Sequence, residues 1–410
     1  MHKYDLVGLI PKDKGSGGGA WLGTYRLFSG LNKILGKDKV KLYVAIKNLN
    51  KNFINTIYPF GLSKFFYLKM ALISKIINIL ILKNKSKTHF SFNLIPTLLD
   101  LKLYLSSKKG HNIYLHWLGN NFASIWLIYV ITMRKNILIK FADYWWLTGG
   151  CHYPKNCNAF ERNKCIDCPA VKKNFRWIPK ILFKIKMSIL NKKNVNIISP
   201  SKHLFNTAKK LTSNKKIFYI SNGMEIADYV QRDYRKVSIG VISQGFDDPR
   251  KNLSQVKNII DLLLKESDLT INLCGNSTKM ILPFNYMNLN LNINNFGFLK
   301  EEHEIRDFYH KSNYILFLSK QDNSPNQIME AMSNGSIVIA FDNYFTRENI
   351  IDKHNGFLLP DNLSNYELFL KILEIFKYPH SMKISMNAYE YSKSQFSQEK
   401  MAYEYCKLLK

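Results

Sequence analysis

Residues 318–342 read LSKQDNSPNQIMEAMSNGSIVIAFD, and their punctuation decides the fold. The apolar run Tyr314–Leu318 ahead of them has the length of a buried strand. Ser324 and Pro325 supply a helix N-cap and a first-turn proline, which predicts a helix from Pro325. Ile328, Met329, Ala331 and Met332 give that helix apolar faces, and Gly335 stands where it stops. Ile337–Ala340 is the next apolar run, so two parallel buried strands joined by a crossover helix are expected.

Units of this kind bind ligands beyond the carboxyl ends of their strands, and Asp322 falls just past the first one. Glu330 follows on the second turn of the helix, where a carboxylate among apolar neighbours needs hydrogen-bond donors such as vicinal sugar hydroxyls. The backbone amides of Asn326 and Gln327, open at the helix start, suit an anion or a sugar oxygen. Together these residues describe a place for a phosphorylated sugar. Taken alone, Asp322 also reads as part of a capping turn and Glu330 as an ordinary helix glutamate.

The pattern as a whole resembles the signature of the retaining glycosyltransferases of family four, in which two acids flank seven residues and the second opens Glu-Ala-Met-x-x-Gly. The matching residues are Asp322, Glu330-Ala331-Met332 and Gly335. The resemblance implies that the first acid touches the donor sugar and that Glu330 holds the ribose of the nucleotide; Ser324 and Asn326 are expected to orient that sugar together with Asp322. The commonest first acid is Glu, so Asp322 is one methylene shorter.

Composition sets the outer limits. A chain of 410 residues, 46% hydrophobic, fills two domains and is not disordered. Lys and Arg number 59 against 30 Asp and Glu, a net charge of +29. An acidic partner follows, with an anionic membrane surface and nucleic acid as the two classes. The chain also favours Lys, Asn and Ile throughout, a compositional bias, so nucleic-acid binding is not assigned. Met1–Asp5 leads straight into a strand-like run rather than a signal stretch. The longest greasy stretch, Met70–Leu82, is interrupted by Lys75 and too short to span a bilayer. A cytoplasmic protein, soluble or peripheral on the inner face of the plasma membrane, is expected.

Leu6–Ile10 reads as a first strand, and the glycines from Gly15 to Gly19 as a loop opening onto a helix near Ala20. Such a loop brings backbone amides close to a diphosphate, or is a flexible turn. The resemblance places Gly18 and Gly19 near the donor diphosphate and the acceptor. His111–Trp117 is a strand whose last residues include His116, a possible cleft residue. The stretch Asp143-Tyr144-Trp145-Trp146-Leu147-Thr148-Gly149-Gly150-Cys151-His152-Tyr153 resembles a loop of the polysaccharide-building branch of that family. Ala142 stands where that loop begins with histidine, and Asp143 remains as a polar neighbour.

Four of the six cysteines, Cys151, Cys157, Cys165 and Cys168, fall in this loop. They read either as a structural zinc set or as free, redox-labile thiols. The resemblance implies no metal or other cofactor for catalysis. Two segments have basic amphipathic character, Leu62–Leu82 and Lys172–Lys193, and each suits either packing on the sheet or an anionic lipid surface. Arg250 and Lys251 lie between a strand ending at Ser243 and a helix from Leu253, where cations would hold a departing diphosphate. In the resembled pattern an Arg precedes the Lys by five positions. That position is Phe246 here, so the arginine role passes to Arg250.

Strands alternate with helices through both halves, predicting two Rossmann-like doubly wound α/β domains facing a cleft, the GT-B architecture. Residues 1–225 would form the acceptor-side domain, 226–390 the donor-binding domain, and 391–410 a terminal helix crossing back to the first. The activity implied is transfer of a sugar from a nucleotide-sugar donor to a glycan acceptor, lipid-linked, in bacterial surface polysaccharide assembly. The rivals are a non-catalytic binding member of the same fold and a sugar-nucleotide epimerase.

Overall fold

A computed structural model describes residues 6–12, 18–36, 39–48, 51–57, 62–83, 89–107, 111–119, 121–133, 135–154, 157–245, 248–266, 268–276, 292–299 and 301–409. They form two compact units, one from the chain up to Gly223 together with Gln398 onward, the other Met224–Ser397.

The first unit is built on seven parallel strands: β1 (Leu6–Lys12), β2 (Val40–Ile46), β3 (Ile54–Thr56), β4 (Asn112–Leu115), β5 (Asn136–Lys140), β6 (Val195–Ser199) and β7 (Ile217–Tyr219). Their order is β3-β2-β1-β4-β5-β6-β7. Burial on both faces explains the near-continuous apolar runs of β4 to β6. One face is covered by α2 (Leu62–Ile81), α3 (Leu98–Ser107), α4 (Ile125–Ile131) and α6 (Trp177–Leu190), which follows the short α5 (Ala159–Arg162). The other carries α1 (Gly18–Leu35) and, from the far end of the chain, α13 (Gln398–Cys406). α7 (Lys202–Leu211) leads to β7 and is capped by Ser201, whose Oγ accepts from the Leu204 amide.

The second unit has six parallel strands: β8 (Ser238–Gly245), β9 (Thr270–Asn276), β10 (Ile293–Gly297), β11 (Tyr314–Phe317), β12 (Ile337–Phe341) and β13 (Phe357–Leu359). The order β10-β9-β8-β11-β12-β13 reverses direction between β8 and β11. α8 (Leu253–Glu266) and α11 (Asn365–Phe376) pack on one face; α9 (Glu302–His310), α10 (Asn326–Ser333) and α12 (Ser381–Phe396) pack on the other.

Two local expectations are corrected. Pro325 occupies the N-cap position of α10 rather than its first turn, and Ser324 precedes it, because the proline backbone is extended at ψ 102°. α1 begins at Gly18, so Gly18 and Gly19 form its first turn instead of a loop before it. The glycines at 15 and 17 lie outside the described residues, as does Phe246.

Candidate functional site

The sheet of the second unit reverses its winding between β8 and β11, and the segments leaving these two neighbouring strands diverge to opposite sides. Such a switch point leaves a crevice at the carboxyl ends. Lys251 arrives there from β8 and Asp322 from β11. The Lys251 Nζ lies 3.1 Å from Asp322 Oδ2, both side chains about one-sixth exposed. Residues 71 positions apart are thus brought into one ion pair. The loops are tied together by their backbones as well, the Lys320 amide donating to the Arg250 carbonyl at 2.9 Å.

Arg250 takes a different direction. Its guanidinium grips Asp248 through Nε to Oδ1 at 3.1 Å and Nη2 to Oδ2 at 2.5 Å. Asp248 also caps the short turn Pro249–Lys251 by accepting from the Arg250 amide. Arg250 is therefore held at the edge of the Lys251–Asp322 pair by its own loop.

α10 presents the remaining predicted residues. The Asp322 carboxylate accepts from the Asn323 amide at 2.7 Å, fixing the turn before the helix. Gln327 is turned inward: its Nε2 donates to the Ile242 carbonyl at 2.7 Å, pinning the start of α10 to β8. That contact uses the side chain and is separate from the backbone amide expected to face a ligand. Ser324 and Asn326 stand on either side of Pro325 at the head of the helix. Glu330 is buried at 8% exposure and accepts from the Tyr309 hydroxyl at 3.1 Å, so a protein group supplies a donor that the sequence had left to ligand hydroxyls.

Asn323 was missed by sequence reasoning. It is 3% exposed, and neither its Oδ1 nor its Nδ2 has a hydrogen-bond partner among the described residues. An orphan buried amide beside Asp322 at the carboxyl end of β11 is costly to fold and suits a ligand with both donors and acceptors. Arg232 was missed too. Its Nη1 donates to the carbonyls of His310 and Ser312, and its Nη2 to those of Tyr309 and Asn334. One buried guanidinium thereby closes the C-terminal ends of α9 and α10. Its only sequence signal is an arginine in a stretch that reads as linker. A groove lined by Tyr234, Asp268, Leu373 and Met382 opens at the amino ends of β8 and β9, away from this site.

In the first unit, His116 lies just past β4, at the switch point between β1 and β4. Its Nδ1 shares a 2.6 Å hydrogen bond with the Thr24 hydroxyl of α1. Gly18 and Gly19 start the same helix, whose first amides have no intrahelical acceptor. Asp143 faces a different set of partners. Its Oδ1 accepts from the Trp145 amide at 2.8 Å, and Oδ2 lies 2.7 Å from His152 Nδ1, whose Nε2 lies 2.9 Å from Ser91 Oγ. All three side chains are buried, and the relay locks the Trp-rich loop against residues 89–92. Sequence reasoning singled out Asp143 but not its partners, because Ser91 carries no pattern of its own.

The four loop cysteines gather in one cluster. Cys151 lies against Cys168, with Cys165 and Cys157 near enough for their charges to act on it. The Cys151 contact, aided by the Ala170 and Val171 amides and Arg176, brings the Cys168 thiol down to about 7 despite burial. Burial pushes Cys165 up to about 12, although the Gly149 amide donates to its sulfur at 3.2 Å. Among the described residues no three His, Cys, Asp or Glu side chains are arranged to hold a metal ion. As placed, the expected zinc set Cys151, Cys157, Cys165 and Cys168 is a group of unbridged thiols.

Residues 237–394 match the family model described as glycosyl transferases group 1. A search of curated proteins finds no match. Among solved structures, HepE from Anabaena, determined with UDP and glucose, aligns with a TM-score of 0.66 at 13% identity over 99% of each chain. Sucrose-phosphate synthase from Thermosynechococcus elongatus aligns at 0.65 and 13% identity over 98% of each. A glycosyltransferase from Rickettsia africae aligns at 0.61 and 15% identity, over 100% of this chain and 98% of its own. At these identities the likeness concerns the fold. The chain thus has the GT-B fold of two parallel-sheet α/β domains, and its residues 237–394 are similar to the group 1 glycosyl transferases.

Proposed function

We propose that the chain is a retaining glycosyltransferase that moves a sugar from a nucleotide-diphosphate donor, a UDP-sugar first among them, to a lipid-linked glycan in bacterial surface polysaccharide assembly. The observation that carries this reading is the Lys251–Asp322 pair at the switch point of the second sheet, 3.1 Å across. The anomeric carbon–oxygen bond to the diphosphate breaks as the acceptor oxygen bonds to the same face, and the departing diphosphate takes the acceptor proton. The protein's part is positioning and charge stabilisation. Lys251 meets the negative charge that grows on the diphosphate, with Arg250 beside it. Asp322, Ser324 and Asn326 orient the sugar, and Glu330, steadied by Tyr309, holds the ribose. The uridine preference draws support from HepE, determined with UDP-glucose as well as with UDP and glucose.

Calorimetric titration with UDP, GDP, CDP and dTDP, on the wild type and on Glu330→Ala, tests the donor site. Binding of one nucleotide that the variant loses supports the reading; binding of none overturns it. The anomeric configuration of the product, read by proton NMR, tests retention. Ala142, standing where the resembled loop has histidine, favours a second reading in which donor is bound without transfer. That reading gains if UDP-sugar binds and no product forms with any lipid-linked acceptor.

A further inference from the structure

The helices on one face of the first sheet turn apolar side chains outward. On α2 the buried side is Ser63, Tyr67, Met70 and Ser74. A second stripe, Phe65, Leu68, Leu72, Ile76 and Ile79, repeats every three or four residues and is 38–60% exposed. At 3.6 residues per turn the two stripes lie on opposite sides of the helix, so the second has no core to enter. α3 repeats the pattern with Leu98, Leu101 and Leu105, and α4 with Trp126 and Val130, joined by Met133 just past its end, all at least 44% exposed. α6 adds Trp177 and Ile181. These helices are neighbours, α3 packing on both α2 and α4, and α4 on α6. The outward side chains belong to one layer, larger than the scattered apolar residues of an ordinary surface.

Charge identifies the occupant. α2, α4 and α6 contain no Asp or Glu. The one acid of α3, Asp100, is buried and accepts from the Thr97 and Ser124 amides at 2.8 and 2.9 Å. Lys64, Lys69 and Lys75 are exposed on α2, as is Lys184 on α6. Two tryptophans, Trp126 and Trp177, stand among the aliphatic residues, the type of side chain that settles where hydrocarbon meets headgroups. No helix among the described residues is long and apolar enough to cross a membrane.

We propose that the outward face of α2, α3, α4 and α6 lies in the headgroup region of an anionic bilayer, its apolar stripes in the acyl boundary and its lysines on lipid phosphates. The proposal deepens the lipid-linked acceptor reading and rests on it only for its purpose, since the face is a property of the first unit alone.

The test is co-sedimentation of the full chain with vesicles of phosphatidylcholine alone or mixed with phosphatidylglycerol, at low and high salt. The wild type binds the mixed vesicles, less so at high salt. Lys64→Ala/Lys69→Ala/Lys75→Ala lowers that partitioning about a hundredfold at low salt. Leu68→Glu/Leu72→Glu/Ile76→Glu abolishes it on both kinds of vesicle. All these positions are exposed, and circular dichroism with UDP titration reports on the fold and on the donor site separately. Equal behaviour of the wild type with and without vesicles overturns the proposal, as does an unchanged Glu variant. So does a dimer in sedimentation velocity that the Glu variant breaks, which would give the face to a second copy. Vesicle binding without UDP binding would leave this face standing and overturn the donor reading instead.

Discussion

Lys251 and Asp322 neutralise each other at the site, and a ligand that separates them exposes a cation to its phosphates and a carboxylate to its hydroxyls. Lys251→Ala is expected to lower the transfer rate by about 100- to 1000-fold. The melting temperature should fall as well, by the equivalent of about 1–3 kcal/mol, since a mostly buried carboxylate loses its cation; steady-state kinetics beside a thermal melt checks both. Asn323→Ala should weaken UDP-sugar binding while leaving the fold intact or firmer, because the amide it removes has no partner to lose among the described residues. A loss of stability would show that the amide is satisfied within the fold. Lys140 offers a pH test. It is 1% exposed with no partner for its Nζ among the described residues, and burial brings its ammonium down to about 7. The folded state then binds fewer protons than the unfolded one between about 7 and the ordinary lysine value near 10.4. The lysine therefore costs most stability at and below neutral pH, and the cost fades as pH rises. Lys140→Met should stabilise by about 1–3 kcal/mol at pH 6 and by much less at pH 10, measured by urea unfolding.

The elements around the site are short, and single residues fix their ends. α10 has eight residues and ends at Gly335, whose φ of +74° belongs to the left-handed region. An added Cβ would also meet Tyr229 at 3.0 Å. Gly335→Ala should cost about 1 kcal/mol, read as a lowered midpoint of chemical unfolding. Arg232→Met should cost more, about 3 kcal/mol, because it removes four charge-assisted hydrogen bonds at the ends of α9 and α10, although the Tyr309 and Ser312 carbonyls keep the Ser336 hydroxyl as a donor. The two cases differ in legibility. Gly335 could be read from sequence because a helix stop is a local backbone need. Arg232 could not, because its acceptors lie 77 to 102 positions away and become neighbours only when the sheet forms.

Over the whole molecule, the chain leaves the first unit at Gly223 and returns to it at Gln398. The returning α13 lays Met401, Ala402 and Tyr405 into the core formed with α1. Gly30 of α1 permits this approach, since a Cβ there would sit 2.9 Å from that of Ala402. Gly30→Ala should destabilise the first unit by about 1–3 kcal/mol through overpacking, and hydrogen exchange should localise the loss to α1 and α13.

The sequence by itself determined the α/β alternation and the glycine after α10, and it marked Asp322, Glu330, Arg250 and Lys251 as site candidates. Each of these is written in a repeat of two or 3.6 residues, a cap, or a motif shorter than a dozen positions. Only the tertiary structure decided that Lys251 reaches Asp322 while Arg250 is held by Asp248, and that Gln327 braces β8. The same holds for Ser91 completing the Asp143–His152 relay and for a second apolar stripe of α2 left facing outward. The physical reason is that strand order and helix rotation set these meetings. Chain-distant partners meet only after strands have paired and helices have settled on them, and no local pattern records which neighbour the packing will supply.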